Sequence, residues 1–380
     1  MNFATSRHKA SWLFDEDDLE RRRRESLDRS VHKAGCSHDP ITLEEQQILC
    51  RHYERMTAKV CALFRLPRKI LAVALTFLKR VFVRHSVLEA TQALGGHAES
   101  VMLTCVYLAC KVENHYVSAE DLARGVRMGQ DVRQVERAML GCEMRVLRSL
   151  DFDLLVHTPF AALDGFCFDM EEWLEDSEPR GRAWTHVRAE ALTTKLRRNA
   201  LASVDALLFS DAPLLFAPGV LAFASLEVAA KTCEAEAILR DYAQSRGLPQ
   251  RARDLGDGSH APSGNGARNG AGGHGKLEEG GSATQAQGGA TFNAVLQRVH
   301  ALGHAGSRGA PDPAVLKGID RKVKTFAGVA SGASKAKTKA TPLKRTAPMA
   351  DEGTPTCAPE PGSAGAGDAK RRKSHGDRAE

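Results

Sequence analysis

Residues 99–113 read ESVMLTCVYLACKVE. Wound at 3.6 residues per turn, this stretch is apolar on nearly every face, and a helix of that kind belongs in the centre of a bundle. Its charged end, Lys111 and Glu113, is where such a helix would emerge into solvent. Working outward, the preceding segment places Ile70, Ala74, Phe77 and Val81 on one helical face, with Leu71, Leu75, Leu78 and Phe82 beside it. Pro67 suits the first position of that helix, because an amide there would have no partner anyway.

Further upstream, Thr42-Leu43-Glu44-Glu45 is a capping-box pattern, in which a Thr hydroxyl and a Glu carboxylate satisfy free amides at a helix start. Leu49, Tyr53, Met56, Val60 and Leu63 then form one expected buried stripe. Downstream, Ser118-Ala119-Glu120-Asp121 opens a short helix. Val135, Met139, Cys142, Val146 and Leu150 make a further amphipathic one, with Glu136, Glu143, Arg145 and Arg148 off its apolar stripe. No strand alternation appears, so this is a five-helix unit.

A second set follows. Pro159 precedes Phe160, Leu163, Phe166, Met170 and Leu174 at helical spacing; a longer segment covers about Arg182 to Phe209; Pro218 opens PGVLAFASLEVAAKTC, again apolar around much of its surface. Both sets enclose a nearly all-apolar third helix, the mark of a duplicated fold. From Gly247 to Ala290, 13 of 44 residues are glycine, the make-up of a flexible insertion. Val295, Val299 and Leu302, following Phe292, resume a helical stripe, so 291–303 is expected to be the delayed last helix of the second set. From about Gly303 onward, Gly, Ala, Lys and Pro predict disorder.

The net charge of +6 is unevenly placed: residues 307–380 hold 15 Lys/Arg against 8 Asp/Glu, leaving 38 against 39 for residues 1–306. A domain that grips nucleic acid by neutralising phosphates would carry the excess in its folded part, so no direct nucleic-acid contact is expected. No run approaches the roughly 18 uncharged apolar residues of a membrane span, and neither a membrane partner nor a leader peptide is expected. The nine cysteines are scattered, without C-x-x-C, so no zinc site is expected, and Cys105 and Cys110 are read as buried packing.

The stretch from Phe77 to Ser118, with FLKR, HSVLE, MLTCVYLACKVEN and YVS, resembles the first cyclin box, most closely in cyclins of the H type. The likeness continues through CEMRVLRSLDFDLLVHTPF, LDGFCFDM and SDAPLLFAPGVLAFAS, and begins with Ser11-Trp12-Leu13-Phe14, Leu19 and Arg21 to Arg24, spanning about residues 6–246. Three stretches depart from the pattern: a longer connection at 90–96, a repeated LLF within 206–216, and the Gly-rich insertion. The resemblance implies an all-α chain of two tandem five-helix cyclin folds. An N-terminal helical extension would occupy 1–39, the first cyclin box 40–157, the second fold 158–303 with its insertion at 247–290, and a disordered basic tail 304–380.

In this family the third and fifth helices of the first repeat grip a kinase through a Lys and a Glu, here Lys111 and Glu143, with Leu108, Val112, Met139 and Leu147 around them. On spacing alone both charged residues are ordinary solvated positions; the resemblance singles them out. It implies a regulatory subunit with no chemistry and no cofactor of its own. The implied partner is a cyclin-dependent kinase, in a CDK-activating kinase with an assembly factor and general transcription factor IIH. The runner-up is the cyclin C type. A second class, adaptors of the general transcription factor IIB type, usually carries an N-terminal zinc ribbon, whereas only Cys36 precedes residue 50 here.

Lys370-Arg371-Arg372-Lys373 suits a nuclear import signal, and Thr341-Pro342 and Thr354-Pro355 suit proline-directed phosphorylation. Gly270 to Gly275 satisfies G-x-G-x-x-G but lacks the preceding strand and following helix of a dinucleotide site. His186 and Glu190, one turn apart, read as an ordinary polar face. Arg21 to Arg24, after the acidic Asp15 to Asp18, read as the continuation of a dipole-matched helix rather than a phosphate contact.

Overall fold

The computed structural model describes residues 2–34, 41–89, 97–126, 131–176, 184–248, 281–307 and 309–337. Among them every regular element is helical. The N-terminal part is α1 (Arg7–Trp12) and α2 (Glu16–Ala34). The first repeat follows as α3 (Leu43–Leu63), α4 (Arg68–Arg84), α5 (Ala98–Val112), α6 (Ala119–Val126) and α7 (Val132–Ser149). Then come α8 (Pro159–Asp176), α9 (His186–Leu208), the short α10 (Ala212–Leu215), α11 (Pro218–Cys233), α12 (Glu236–Ser245), α13 (Gly281–Gly306) and α14 (Pro313–Lys337).

The nearly all-apolar helix is central. α5 packs against α3, α4, α6 and α7, and every residue from Ser100 to Val106 is buried. Its counterpart α11 packs against α8, α9, α12 and α13. Two hydrophobic cores result, one around α3 to α7 and one around α8, α9 and α11 to α13. Cys105 and Cys110 lie inside the first, where burial pushes both thiols up, Cys110 to about 11.

The helix α4 belongs to both cores. Val73, Phe77 and Val81 face the first, whereas Ala72 and Leu75 join the second. This explains why 13 of its 17 residues are buried, among them Lys79 and Arg80. Lys79 is held by Glu54 of α3 at 2.5 Å, with side-chain exposures of only 2% and 8%. Arg80 lies under the ring of Trp12, 4.8 Å from its centroid, and donates to the Asp153 carbonyl.

The Thr42 capping box forms as expected: the Thr42 hydroxyl accepts from the Glu45 amide, and the Glu45 carboxylate accepts from the Thr42 amide. One member of the stripe that follows is misplaced. Leu63 is 60% exposed, because it is the last residue of α3, just before the chain reverses through Arg65 at φ 51°.

The arginine run behaves as a helix continuation. Glu16, Asp17 and Asp18 occupy the first turn of α2, Arg21 and Arg22 pair with Asp18, and Arg24 pairs with Glu20. Arg23 departs from this local pattern and reaches Asp211, beside α10. Two further contacts tie the N-terminal part to the second half of the chain. The Phe14 amide donates to the Leu214 carbonyl at 2.9 Å, and Arg298 of α13 pairs with Glu16 at 2.6 Å.

Of the Gly-rich stretch, residues 249–280, with the glycine motif at 270–275, lie outside the described residues. The helix proposed over 291–303 is the C-terminal part of the longer α13, and it is not isolated: Leu296 and Val299 are buried in the second core, with Val295 and Leu302 against it. The tail requires a correction. Disorder was expected from residue 304, yet Pro313–Lys337 is a helix packed on α2 and α3, with Ile319 buried in the first core. Leu316, Ile319 and Val323 form a single apolar stripe that the Gly, Ala and Lys content of the region conceals, and Lys322 pairs with Glu45 at 3.0 Å. Residues 338–380, which include Thr341, Thr354 and Lys370 to Lys373, lie outside the described residues.

Candidate functional site

The ends of α5 and α7 are fixed by the same backbone device. After α5, Asn114 turns left-handed at φ 52° and the His115 amide bonds back to the Cys110 carbonyl at 2.9 Å. After α7, Asp151 and Phe152 take φ of 52° and 55°, and the Phe152 amide bonds to the Leu147 carbonyl at 2.9 Å. Both are reversals of the Schellman kind, which satisfy carbonyls left open at a helix end. A left-handed Asn or Asp is tolerated, but a left-handed Phe is not a choice made for backbone comfort. Phe152 is also 59% exposed.

Lys111 of α5, about one turn before the first reversal, meets Glu143 of α7, about two turns before the second. The Lys111 ammonium donates to Glu143 Oε1 at 2.6 Å, and it also sits 4.8 Å from the centroid of Tyr107, one turn earlier on α5. The hydrogen bond to Glu143 raises the Lys111 pKa, so the ammonium stays charged. Glu113, the other charge at this helix end, is taken by Lys69 of α4 at 2.5 Å. Lys111 is thus left to bridge the two helices, with half of its side chain exposed.

The apolar residues expected around this pair divide in two. Val112 and Leu147 are half-buried and flank it. Leu108 and Met139 are not surface residues: both are buried in the first core, and Met139 shares the inward stripe of Cys142 and Val146. They can shape the surface only from beneath. The residues that do present apolar area are Leu140, 41% exposed, and Met144, 51% exposed, which with Glu143 and Leu147 follow at i, i+3, i+4 and i+7 along one face of α7. The sequence signal for them was available, since they are apolar residues lying off an already complete buried stripe. Beyond α7, Phe152 and Leu155 add exposed apolar side chains. Exposed large hydrophobics gathered around a charged pair mark an interaction surface rather than a catalytic pocket. The remaining charged pairing weighed in the sequence, His186 with Glu190, resolves otherwise: His186 hydrogen-bonds Glu175 of α8 at 2.6 Å.

Residues 23–155, which hold α3 to α7 and this surface, match the Cyclin, N-terminal domain family. Over 257 residues the chain is 33% identical to cyclin-H1-1 of Arabidopsis thaliana, covering 60% of this chain and 70% of that protein. The chain belongs to the cyclin family. Within the cyclins it is similar to the H type: cyclin-H of Xenopus laevis is 28% identical over 240 residues, covering 59% and 67% of the two chains. The similarity to cyclin-C1-1 of Arabidopsis thaliana is shorter, 30% identity over 132 residues and 34% of this chain.

Solved structures agree on this cyclin's fold. A chain of the CAK complex from Chaetomium thermophilum bound to ATP-gamma-S superposes with a TM-score of 0.60 at 15% identity, covering 91% of this chain and 98% of that one. A chain of the yeast TFIIK (Kin28/Ccl1/Tfb3) complex gives a TM-score of 0.50 at 22% identity, covering 67% and 98%.

Proposed function

We propose that this cyclin is the regulatory subunit of a CDK-activating kinase, and that it grips the catalytic subunit through the surface around Lys111 and Glu143. The observation that carries the site is the bridging of α5 and α7 by those two residues, rimmed by the exposed Leu140 and Met144. What supports the wider assignment is the similarity to cyclins of the H type, and the fold shared with chains from complexes described as CAK and TFIIK. We take residues 40–157 as the first cyclin fold, the one that holds the kinase, and 158–303 as the second.

The cyclin contributes no catalytic group in this reading. It holds the kinase's mobile helix inward so that a Glu there can pair with the ATP-binding Lys. Moving a kinase from 1:99 to 99:1 active needs about 5.5 kcal/mol of differential binding. An exposed ion pair supplies only about 0–1 kcal/mol. The greater share therefore falls to the apolar residues, Leu140, Met144 and Leu147, while Lys111 and Glu143 set the register. Membership of general transcription factor IIH, contact with an assembly factor, and a nuclear location belong to the same proposal. Affinity purification followed by a kinase assay with and without the chain tests it. Recovery of a cyclin-dependent kinase whose activity depends on the chain is expected; recovery of promoter DNA and no kinase would overturn it.

A further inference from the structure

Between α2, α4 and α7 lies an open cleft of about 600 Å³ lined by five arginines. Arg22 and Arg29 come from α2, Arg84 from α4, and Arg145 and Arg148 from α7. Three of these are engaged locally. Arg22 pairs with Asp18 at 2.7 Å, Arg84 pairs with Asp151, and Arg29 donates to the Arg84 carbonyl at 3.0 Å. Arg145 and Arg148 are different: among the described residues neither has a carboxylate within ion-pair distance, and both are exposed. Three residues apart on α7, they lie on neighbouring positions of one face, an arrangement that costs the helix some like-charge repulsion.

The one carboxylate in the wall, Glu25, is occupied by Arg21 at 3.0 Å. His85, at the end of α4, is held between Glu89 at 3.3 Å and the Ser149 hydroxyl at 3.0 Å, which fixes the side of the cleft next to Arg148. The result is a walled site with an excess of guanidinium over carboxylate. A phosphoryl group, with about −1.5 to −2 charges and three acceptor oxygens, is the anion whose geometry the planar guanidinium forks match.

We infer that this arginine-lined cleft binds a phosphorylated segment of a protein partner, with Arg145 and Arg148 taking the phosphoryl oxygens. A peptide fits better than a nucleic acid for two reasons. Successive phosphates of a polynucleotide need a continuing basic track, whereas Asp18, Glu25 and Asp151 stand beside the cleft and residues 1–306 carry no net positive charge. A peptide also needs only one phosphoryl group held, which the neighbouring guanidinium groups of Arg145 and Arg148 can do by themselves. The inference does not depend on the kinase reading, because the cleft is complete in this chain alone.

The test uses the full chain and an oriented peptide library with a fixed central phosphothreonine and random flanks, against the same library carrying threonine. Retention of the phosphorylated library should exceed the other by about tenfold, as two solvent-exposed ion pairs would give. That excess should fall with added salt and vanish in the double variant Arg145→Gln, Arg148→Gln, whose melting temperature should not change. Equal retention of the two libraries would overturn the inference, and so would an excess that survives in the variant. Tighter binding of a single-stranded oligonucleotide, lost in the same variant, would reassign the cleft to nucleic acid and overturn it as well.

Discussion

Arg23 holds Asp211 with two hydrogen bonds, of 2.8 and 2.6 Å, across 188 residues of chain. Burial alone would raise the Asp211 carboxyl; the hydrogen bonds and charge of Arg23 outweigh it and hold the group at about 2. The bond pins the N-terminal helix to the start of the second half of the fold.

Because the folded value lies below the ordinary 3.8, this pair contributes stability above about pH 4 and loses it as pH falls through about 2. Asp211→Asn should therefore cost about 1–2 kcal/mol at pH 7, moderated by the 36% exposure of the Asp211 side chain. The cost should shrink towards pH 2. Urea unfolding across that range checks both the size and the sign.

At the α5–α7 surface, the double variant Lys111→Ala, Glu143→Ala should weaken binding to a purified cyclin-dependent kinase by no more than about fivefold, the worth of an exposed pair. Leu140→Asp with Met144→Asp should cost more than tenfold. Neither should lower the melting temperature appreciably, since all four side chains keep contact with solvent. Unchanged affinity in both variants would remove the surface from the kinase interface.

The Lys79–Glu54 pair behaves differently, because it is sealed between α3 and α4. Glu54→Gln leaves a buried ammonium without its counter-charge and should destabilise the chain by about 3–5 kcal/mol. Replacing both, as Lys79→Met with Glu54→Leu, should recover most of that loss. Thermal melting of the single and double variants separates a structural pair from a functional one.

Gly306 closes α13 against α9. A Cβ there would stand 2.0 Å from the Ala206 carbonyl oxygen, a backbone atom that cannot yield, while Arg55 of α3 donates to the Gly306 carbonyl at 2.6 Å. Gly306→Ala should cost about 1–3 kcal/mol and speed amide exchange in α13. Gly309→Ala, which meets open space, should change neither.

The helical framework was legible because its apolar periodicity is strong and its starts are marked: the Thr42 box and the Ser118 cap both form. What periodicity could not supply was which neighbour each face would meet. Periodicity does set Met139 on the inward stripe of α7 and Leu140 and Met144 off it; what it leaves hidden is the neighbour that the outward face meets. The double duty of α4 was hidden for the same reason, since a helix buried by two cores and a helix buried by one read alike. α14 escaped because composition was averaged over a long polar region, and three apolar residues in register were diluted by the rest. Lys111 and Glu143 were found by resemblance rather than by any local signal.

The tie between Arg23 and Asp211 also sets an order of events during synthesis. α2 leaves the ribosome 188 residues before its partner Asp211, and Arg298, which takes Glu16, follows later still. At about 5–20 residues per second, α2 must wait roughly ten to forty seconds before Asp211 is made. A helix made before the first repeat therefore gains its last ties only after the second has begun. Until then α2 has only α3 and α4 to pack on, where Leu27 is already covered, while Leu19 still waits for Leu214.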